Sequence, residues 1–508
     1  MVGKVLTLGV QGIHGYQIDV ECFLAGGLPA FDVVGLPDAA VKESRERIKA
    51  AARCCGYNFP QRRVVMNLAP ADTKKTGSLY DLPMLLSLLQ CTHIIDAPPE
   101  NGYFLGELSL EGNLRGGPGV LPMALACPSG AVLFVPKANA AEAALCQHLR
   151  VYAADHVKQI IDHLNGDALI QPTVLSDDFF DDIPDIVKLD FADVRGQDAA
   201  KRAMEIAAAG NHSILLEGPP GAGKSMLTMR LPSILPPMSF EESIECTKIY
   251  SVAGLLPDKG SLVTERPFRS PHHTLSQSAM TGGGKMPKPG EISLAHNGVL
   301  FLDELPEFQK HTLEALRQPL EDGVVTISRV SGTITYPSDF MLVASMNPCP
   351  CGFYGDYQKC SCTMPEINRY LSRISGPLLD RIDIMVETPK VDYEKLRLNS
   401  GIRPESSADI KTRVERAQEV QTMRYGAGPV RFNAQLTAAM IEKHCKLDAP
   451  GAEMLRLAFD KMGLSARAYH KILRLARTIA DLDGEEDISV VQLAEAIQYR
   501  ALDRKYWS

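Results

Sequence analysis

A glycine-rich segment with an adjacent lysine and serine carries the most specific chemistry in this sequence. It consists of Gly218, Pro219, Pro220, Gly221, Ala222, Gly223, Lys224 and Ser225. This spacing fits the pattern G-x-x-x-x-G-K-[ST], in which backbone N–H groups and a helix N-terminus surround phosphates. Lys224 would then contact the β- and γ-phosphates, and Ser225 would bind Mg²⁺. The pattern predicts a phosphate loop that binds ATP.

Two apolar segments downstream end in polar residues that suit ATP hydrolysis. Residues 299–302 are followed by Asp303 and Glu304, and residues 340–346 are followed by Asn347. Asp303 would hold Mg²⁺ through water, and Glu304 would orient and polarise the attacking water. We expect Asn347 to sense the γ-phosphate, although an asparagine in this position is also a common start of a turn. Together with the phosphate loop, these residues predict an ATPase.

Four cysteines follow Asn347 in two C-x-C pairs with eight residues between them: Cys349, Cys351, Cys360 and Cys362. Four thiolates at this density suit a tetrahedral structural Zn²⁺ site. The alternative is a set of free or redox-active thiols, because C-x-C spacing is less diagnostic than C-x-x-C. We expect zinc to stiffen the loop after the predicted sensor strand.

Composition excludes some classes of protein. The chain has 508 residues, of which 45% are hydrophobic and 22% charged, so neither disorder nor a membrane protein is favoured. The apolar N-terminus is interrupted by polar residues and does not fit a signal peptide. We therefore expect a cytoplasmic protein without a membrane partner. The net charge of −8 argues against a general coat for nucleic acid but leaves room for a local basic channel.

Four regions follow from the distribution of apolar and turn-forming residues, and they predict an α/β multidomain protein. Residues 1–172 indicate an α+β domain, 173–189 an acidic linker, 190–391 a nucleotide-binding α/β core and 392–508 an all-α domain. The helices predicted for the last region cover residues 410–424, 434–446, 451–461, 466–482 and 490–502.

Several sequence blocks resemble those of the magnesium-chelatase-like AAA+ ATPases, and more closely the YifB/ComM family of bacteria. The blocks cover residues 190–203, 266–273, 289–298 and 492–500, and the resemblance extends over nearly the whole chain. It implies an AAA+ P-loop core with a helical lid and an ATP-dependent homo-hexameric ring. It also implies DNA branch migration during natural transformation.

A shared active site in such rings requires a cation from the neighbouring subunit. The segment 378–383 resembles the arginine-finger segment of the family, which makes Arg381 the favoured trans-acting residue and Arg373 the reserve. The structural alternative for Arg381 is an ion pair with Asp380 or Asp383 on a helix surface.

A second arginine is implied at the start of a C-terminal helix. Arg467 resembles the second sensor, which would couple the helical lid to the nucleotide. Arg474 and Arg477 lie on the same predicted helix and compete for this role.

Two segments between these motifs are candidates for contact with DNA. Residues 324–336 alternate β-formers around a glycine-containing turn and predict a hairpin, which related ATPases project into the ring. Arg329 could then bind a phosphate backbone, or it could be a solvated arginine on a surface hairpin. Residues 274–289, with Lys285 and Lys288, predict a flexible basic loop that contacts DNA or merely connects elements.

The N-terminal region resembles the Lon proteolytic fold, which raises ATP-driven proteolysis as a rival function. Three segments carry this resemblance, at residues 35–38, 67–72 and 106–110. Lon uses a serine and a lysine as a catalytic dyad. Here residues 116–122 lack the lysine, Ser78 lacks the flanking motif, and Lys74 or Lys75 would have to replace the base. We expect a non-proteolytic module for ring assembly or DNA binding.

The leading functional prediction is an ATP-dependent hexameric DNA motor, a helicase that migrates branch points in recombination intermediates. Its partners would be single-stranded, duplex or branched DNA. The alternatives are a magnesium-chelatase-type motor subunit with a porphyrin-binding partner, a Lon-like protease and a nucleotide-dependent assembly scaffold. The Lon-like domain and the four-cysteine loop favour the YifB/ComM interpretation over the chelatase one.

Overall fold

The structure is a computed structural model that describes residues 2–174, 189–256, 262–284, 287–329, 332–356, 358–390, 404–426 and 428–500. Most of the predicted linker over 173–189, and Lys285 of the predicted basic loop, lie outside the described residues. Contacts divide the chain into an amino-terminal unit, residues 1–184 with 240–263, and an ATPase unit, residues 185–239 with 264–508.

The first part of the chain alternates strands and helices. The strands are β1 (Val2–Gln11), β2 (His14–Ala25), β3 (Ala30–Val34), β4 (Arg63–Ala69), β5 (Gly102–Phe104), β6 (Glu107–Leu108), β7 (Leu114–Arg115), β8 (Val132–Pro136) and β9 (Arg150–Ala154). The helices are α1 (Ala39–Cys54), α2 (Asp81–Cys91), α3 (Val120–Leu125), α4 (Ala140–Ala144) and α5 (Val157–Leu164).

These elements form a mixed sheet in the order β3-β4-β2-β1-β5-β8-β9. Strand β2 runs antiparallel to both of its neighbours, β4 and β1. Strand β3 pairs in parallel with β4, and β5, β8 and β9 continue in parallel from β1. Helix α2 is apolar nearly all round and packs against β1 and β2, where almost every one of its residues is buried. The predicted α+β architecture is confirmed, and its relation to the Lon fold stays a prediction.

The rest of the chain contains the parallel sheet and the C-terminal helices. The strands are β10 (Ile214–Glu217), β11 (Phe268–Arg269), β12 (Gly282–Gly283), β13 (Lys288–Pro289), β14 (Val299–Leu302), β15 (Val324–Arg329), β16 (Gly332–Pro337), β17 (Met341–Met346) and β18 (Ile384–Glu387). The helices are α6 (Asp198–Gly210), α7 (Lys224–Thr228), α8 (Phe240–Ala253), α9 (Gln277–Thr281), α10 (Glu291–Leu294), α11 (Lys310–Glu314), α12 (Pro319–Asp322), α13 (Met364–Leu371), α14 (Gly376–Leu379), α15 (Ser407–Tyr425), α16 (Ala438–His444), α17 (Ala449–Met462), α18 (Ala466–Asp483) and α19 (Val490–Gln498).

The sheet of the ATPase unit is parallel and has the strand order β11-β14-β17-β10-β18. Every residue of β10, β14 and β17 is buried, as expected for inner strands covered on both faces. Leu302 pairs with Ala344, and Glu217 pairs with Met346. Because parallel strands end at the same edge, the residues after β10, β14 and β17 meet there.

The ends of the C-terminal helices agree with the predicted ones to within three residues except at two ends. The helix predicted from residue 434 begins at Ala438, because Asn433–Gln435 form a separate 3₁₀ turn and the Thr437 side chain caps the following helix by accepting from Met440 N. The helix predicted over 490–502 ends at Gln498, and residues 501 and 502 lie outside the described residues.

Helix α8 belongs to a different unit from the one predicted for it. All of 190–391 was predicted to belong to the nucleotide-binding core. Residues 240–263 pack with the amino-terminal unit instead. The buried Glu142 carboxylate accepts hydrogen bonds from Ser251 of α8 and from Leu121 N, the latter at 2.8 Å. Burial raises the pKa of Glu142, although these donors and Asn139 lower it. A buried carboxylate that requires donors from α8 explains why this helix leaves the core.

Among the described residues, the helices lack the combination of length and apolar character that crossing a lipid bilayer requires.

Candidate active site

The phosphate loop joins β10 to α7. Gly221 and Gly223 adopt left-handed backbone conformations, with φ of 74° and 90°, which glycine adopts at little cost. A Cβ added to either would meet no atom within 4 Å, so the space above the loop is open. The Lys224 ammonium donates to Gly218 O at 2.6 Å and to Asn347 Oδ1 at 3.1 Å. The loop therefore has the conformation and the charge needed to bind phosphates.

The predicted magnesium ligands lie together at the carboxyl edge of the sheet. Ser225 Oγ donates to Asp303 Oδ2 at 2.9 Å, and Ser345 Oγ donates to the other carboxylate oxygen. Hydroxyl and carboxylate oxygens are the ligands that Mg²⁺ prefers. The oxygen set of Ser225 and Asp303 fits this ion, and Ser345 orients Asp303.

The charge on Lys224 is balanced by acidic neighbours. Burial lowers the pKa of its ammonium, while the carboxylates of Asp303, Glu217 and Glu304 raise it. The negative phosphates of a nucleotide would add to the effect of these carboxylates and favour the charged form further.

Glu304 follows Asp303 in a conformation that is uncommon for residues other than glycine. Its φ is 54°, and its backbone N–H donates to Asp303 Oδ1 at 3.0 Å. The side chain is about half exposed, and its Oε2 lies 3.6 Å from Nδ1 of His273. Left-handed backbone at a non-glycine residue is typical of sites where a side chain must be aimed. Here it turns the Glu304 carboxylate away from the strand and towards solvent.

Sequence reasoning missed three residues of this site. Ser345 lies on β17, two residues before Asn347, which follows the strand. Side chains two residues apart point to the same face of a strand, and this alternation was the signal that could have identified Ser345. His273 belongs to the block at 266–273, which carried the family resemblance without a role for the histidine. Gln197 Nε2 donates to Ala222 O at 2.9 Å and to Pro389 O at 2.6 Å, and it belongs to the block at 190–203, which likewise carried the resemblance without a role for this side chain.

Arg381 lies at the opposite edge of the sheet from the phosphate loop. It precedes β18, which is parallel to β10 and paired with it from Ile384 to Glu387. Four strand residues span about 13 Å, a distance that separates the backbone of Arg381 from the phosphate loop of its own chain. Arg381 donates to Pro377 O at 2.7 Å and to the Glu321 carboxylate. In the described residues its ion pair is with Glu321, and the alternative pairs with Asp380 or Asp383 are not formed.

Arg467 shares this carboxylate. Its guanidinium lies 3.6 Å from Glu321 Oε1 and is more than half exposed. The two predicted nucleotide-responsive arginines, 381 and 467, thus lie on one face of the ATPase unit. Glu321 was not predicted from the sequence, because nothing in its local pattern distinguishes it from other surface acids.

The three competing arginines have other partners. Arg477 is buried, pairs with Asp481 at 3.0 Å, and donates to two backbone carbonyls. Arg474 donates to Leu436 O. Arg474 therefore connects α18 to the segment before α16, and Arg477 holds the segment that follows α18. Arg373 donates to Glu307 Oε2 at 2.8 Å, beside the turn that follows Glu304.

A buried ion network joins the strands to the lid beneath Arg381 and Arg467. Asp383 Oδ1 lies 2.9 Å from Lys471 Nζ, and Asp383 Oδ2 lies 3.2 Å from His212 Nδ1. Thr478 of α18 is 2.7 Å from the other ring nitrogen of His212. Burial by itself would raise the pKa of Asp383, but Lys471 and His212 outweigh it and hold this pKa well below its usual range.

We expect Asp383→Asn to destabilise the ATPase unit by about 3–5 kcal/mol, because it leaves the buried Lys471 ammonium without a counter-charge. The folded-state pKa of Asp383 lies below the unfolded value of about 4, so its stabilisation is present above that pH and is lost as the pH falls below it. Thermal unfolding at several pH values measures both effects. Asp380→Asn is the matched control, and an equal melting temperature for the two variants would contradict the prediction.

The four predicted metal ligands converge in one loop. The sulfur atoms of Cys349, Cys351, Cys360 and Cys362 all lie within 4.8 Å of one another. Three of the sulfur pairs are separated by 3.4, 3.7 and 3.9 Å. A tetrahedral zinc site with Zn–S bonds of about 2.3 Å places its sulfurs about 3.8 Å apart, whereas a disulfide needs about 2.05 Å. The cluster has the geometry of a zinc site.

The predicted hairpin is present as β15 and β16, with its turn residues 330 and 331 outside the described residues. Its exposed face carries paired hydroxyls, with Thr326 and Thr335 Oγ1 atoms 3.2 Å apart and Ser328 and Thr333 hydroxyls also 3.2 Å apart. Arg329 is exposed at the end of β15, on the face of Ile327 and not on the hydroxyl face. The surface can offer hydroxyls and a guanidinium to phosphates.

The predicted flexible loop over 274–289 is more ordered than expected. It contains helix α9 and the strand pair of β12 and β13, which carries Lys288. A Cβ added to Gly282 would lie 2.7 Å from Ile327 Cδ1, and one added to Gly283 would lie 3.2 Å from Arg329 Nη2. Gly282 and Gly283 of this segment lie against β15, so the described parts of the two candidate DNA-contacting segments are neighbours.

The amino-terminal unit does not place a lysine amine on Ser78. Ser78 Oγ donates to the Glu107 carboxylate, and Lys75 Nζ donates to the carbonyls of Pro70 and Thr73. Burial lowers the pKa of Lys75. For Lys74 the described residues show no contact with the serine. This arrangement lacks the amine-to-hydroxyl contact that a Ser–Lys dyad requires.

Sequence profiles of one family match most of the chain. The profile described as magnesium chelatase, subunit ChlI, matches residues 190–396, and the one described as magnesium chelatase, subunit ChlI C-terminal, matches 404–500. A third profile, described as subunit ChlI of Mg-chelatase, matches residues 20–139.

Individual relatives match from end to end. The competence protein ComM of Haemophilus influenzae is 44% identical over 506 residues, which cover 98% of this chain and 97% of that protein. YifB of Salmonella typhimurium is 43% identical over 98% of this chain and 97% of its own length. The chain belongs to the YifB/ComM family of magnesium-chelatase-like AAA+ proteins. A more distant relative, the magnesium-chelatase 38 kDa subunit of Rhodobacter capsulatus, is 25% identical over 58% of this chain and 81% of its own length.

Membership of the YifB/ComM family confirms the family predicted from the sequence blocks. It implies a nucleotide and Mg²⁺ at the phosphate loop, with which the oxygens of Ser225 and Asp303 are compatible. The parallel sheet with C-terminal helices is consistent with the AAA+ architecture of this family.

Proposed function

We propose that this member of the YifB/ComM family is an ATP-dependent DNA motor that works as a homo-hexamer. It would hydrolyse ATP between subunits and move branch points in recombination intermediates during natural transformation. The strongest support for this proposal is that the predicted active-site residues lie at two opposite edges of the sheet. Lys224, Ser225, Asp303 and Asn347 lie at one edge of the sheet, and Arg381 lies at the other.

ATP binding would use the residues at the carboxyl edge. Lys224 would exchange its contacts with Gly218 O and Asn347 for phosphate oxygens, which are stronger partners for an ammonium group. Ser225 and Asp303 would hold Mg²⁺, the ion that neutralises charge on the β- and γ-phosphates. Gln197, which binds the carbonyl of Ala222, would keep the loop in place during this exchange.

Hydrolysis would use the carboxylate beside this edge. Glu304 would accept a hydrogen bond from a water molecule and orient its oxygen towards the γ-phosphorus. The water–phosphorus bond forms as the bond between the γ-phosphorus and the bridging oxygen breaks, which yields ADP and phosphate. His273, 3.6 Å from Glu304, would restrict where the carboxylate points. Asn347 would contact the γ-phosphate. After hydrolysis this contact would be lost, and its loss would be transmitted to β17.

The position of the arginines supports the proposed ring. Arg381 precedes β18, at the opposite edge of the sheet from the phosphate loop of its own chain, and Arg467 shares Glu321 with it. Next to a neighbouring subunit they would reach its γ-phosphate, where a guanidinium stabilises charge that develops in the transition state. Each active site would therefore contain residues of two subunits, and Arg373 stays the reserve candidate.

DNA would contact the tip of the hairpin, where β15 and β16 carry exposed hydroxyls on one face and Arg329 on the other. Lys288 of β13 and, from outside the described residues, Lys285 would add further positive charge. The name of the relative ComM, a competence protein, supports DNA as the partner. Contacts of this kind bind the phosphate backbone without reading base sequence. Since DNA and ATP occur together in the bacterial cytoplasm, the proposal places the protein there.

The proposal is tested by ATP hydrolysis with and without single-stranded, duplex and four-way-junction DNA, together with migration of the junction. We expect at least one of these DNAs to stimulate hydrolysis and the junction to migrate only with hydrolysable ATP. Rings that form with ATP but show neither effect would favour the scaffold alternative. Degradation of casein without any response to DNA would favour the protease alternative.

The hairpin is tested with Arg329→Ala. We expect this variant to bind DNA more weakly whatever its sequence, and the slope of log affinity against log salt to become shallower by about one for each phosphate that the protein no longer neutralises. Titration of labelled DNA at several salt concentrations measures both. The control is Arg456→Ala, which removes an exposed arginine from α17. Equal DNA affinity in both variants would exclude Arg329 from the DNA surface.

A further inference from the structure

The four-cysteine loop touches the phosphate loop at two points. Gly352, directly after Cys351, packs on Pro220 so closely that an added Cβ would lie 2.4 Å from Pro220 Cδ and 2.7 Å from its Cγ. Asn347, two residues before Cys349, accepts from Lys224 at 3.1 Å. The segment from 347 to 352 thus forms one wall of the phosphate loop.

Local contacts hold part of the four-cysteine loop, residues 349–362, among them the ion pair of Lys359 with Asp356 and the Lys359 ammonium near the Phe353 ring. The described backbone hydrogen bonds of this loop are those of short turns, such as Gly352 N to Cys349 O and Cys360 N to Asp356 O. Of the four cysteines, Cys349 is buried, while the other three are partly exposed. Turn hydrogen bonds and an exposed ion pair stabilise a loop only weakly, whereas a structural zinc ion contributes folding free energy directly.

We propose that Cys349, Cys351, Cys360 and Cys362 bind one Zn²⁺ ion, and that this ion holds the wall against which the phosphate loop rests, so that ATP binding depends on zinc. Each thiol that ligates the ion releases its proton to solvent, and no electron transfer is involved. The inference rests on the proposed function in one respect, namely that the phosphate loop binds ATP.

The first test measures zinc content and ATP affinity on the full-length protein. We expect one zinc per chain by elemental analysis and its loss in Cys349→Ser or after chelation. After the chelator is removed and the same Mg²⁺ concentration restored, affinity for a fluorescent ATP analogue should be about ten- to a hundredfold lower, because a small displacement of positioning groups has effects of this size. Added Zn²⁺ should restore it. Cys54→Ser, at an exposed cysteine outside the cluster, should keep both zinc and ATP affinity.

A pair of glycine variants separates the packing contact from the metal. Gly352 and Gly355 both have left-handed backbone, with φ of 83° and 95°, so alanine introduces similar strain at each. An added Cβ collides with Pro220 at Gly352 but meets nothing within 4 Å at Gly355. We expect Gly352→Ala to retain zinc and bind ATP about tenfold more weakly, and Gly355→Ala to retain both.

Each contrary result is decisive. Absence of zinc from the unaltered chain, or reversible disulfides among the four cysteines, overturns the metal site. Equal ATP affinity with and without zinc overturns the coupling. If the zinc-loaded chain binds no ATP, both the coupling and the ATP-binding part of the proposed function are wrong, while the zinc content still decides the metal site. Zinc-dependent ATP binding without a response to DNA contradicts only the motor.

Discussion

Glu304→Gln is expected to slow ATP hydrolysis by about 10²- to 10⁴-fold, the usual contribution of a positioned general base. ATP affinity should stay close to that of the unaltered chain, because Lys224, Ser225 and Asp303 form the binding contacts. The amide keeps the shape of the side chain but cannot accept a proton from water. Single-turnover hydrolysis and binding of a fluorescent ATP analogue separate the two effects.

The matched control is Glu453→Gln, the same change at an exposed residue of α17 that pairs with Arg456. It should hydrolyse ATP at the normal rate. If Glu304→Gln hydrolyses ATP as fast as this control, Glu304 does not activate the attacking water. The candidates for that role would then be His273 or a residue outside the described part of the chain. If Glu304→Gln also loses ATP binding, the carboxylate has a role in binding that the geometry does not indicate.

Arg381→Ala is expected to reduce hydrolysis by about 10³-fold or more, the usual effect of losing an arginine finger, with ATP binding retained. Since Arg381 lies at the far edge of its own sheet, the defect should be repaired by another subunit. A mixture of Arg381→Ala with Lys224→Ala should therefore hydrolyse ATP although each variant alone is inactive. In mixed rings, an intact phosphate loop of one variant faces an intact arginine of the other.

The control for this experiment is Glu321→Gln, which removes the ion pair of Arg381 while keeping the arginine. It should retain hydrolysis, so that loss in Arg381→Ala reflects the guanidinium and not the pair. A mixture that stays as inactive as its components, under conditions in which rings form, would argue against a shared site. Normal hydrolysis by Arg381→Ala would transfer the role to Arg373 or Arg467.

Much of the active-site edge was predictable because it depends on short segments. The phosphate loop, the strand before Asp303 and the strand before Asn347 are each encoded within about ten residues, where apolar strands and glycine spacing have few structural alternatives. The four cysteines were likewise visible as a local pattern. The hairpin of β15 and β16 followed from its alternation of β-formers.

Other features depend on contacts between distant segments and could not be predicted in this way. The packing of α8 with the amino-terminal unit depends on the buried Glu142, about a hundred residues earlier in the chain. Arg474 and Arg477 have partners within the C-terminal helical region, which favours Arg467 as the second-sensor candidate. The helical pattern of the sequence does not distinguish the three arginines. His273, Ser345 and Gln197 became visible as site residues only through their neighbours.

The sequence by itself determined the family, the phosphate loop, the carboxylates of Asp303 and Glu304, and the grouping of the four cysteines. These features are set by residue type and short spacing along the chain. The tertiary structure decided that Asn347 reaches Lys224, that Gly352 rests on Pro220, and that Arg381 lies at the opposite edge. The physical reason is that parallel strands bring residues from distant segments to one edge, and strand order and burial set their partners.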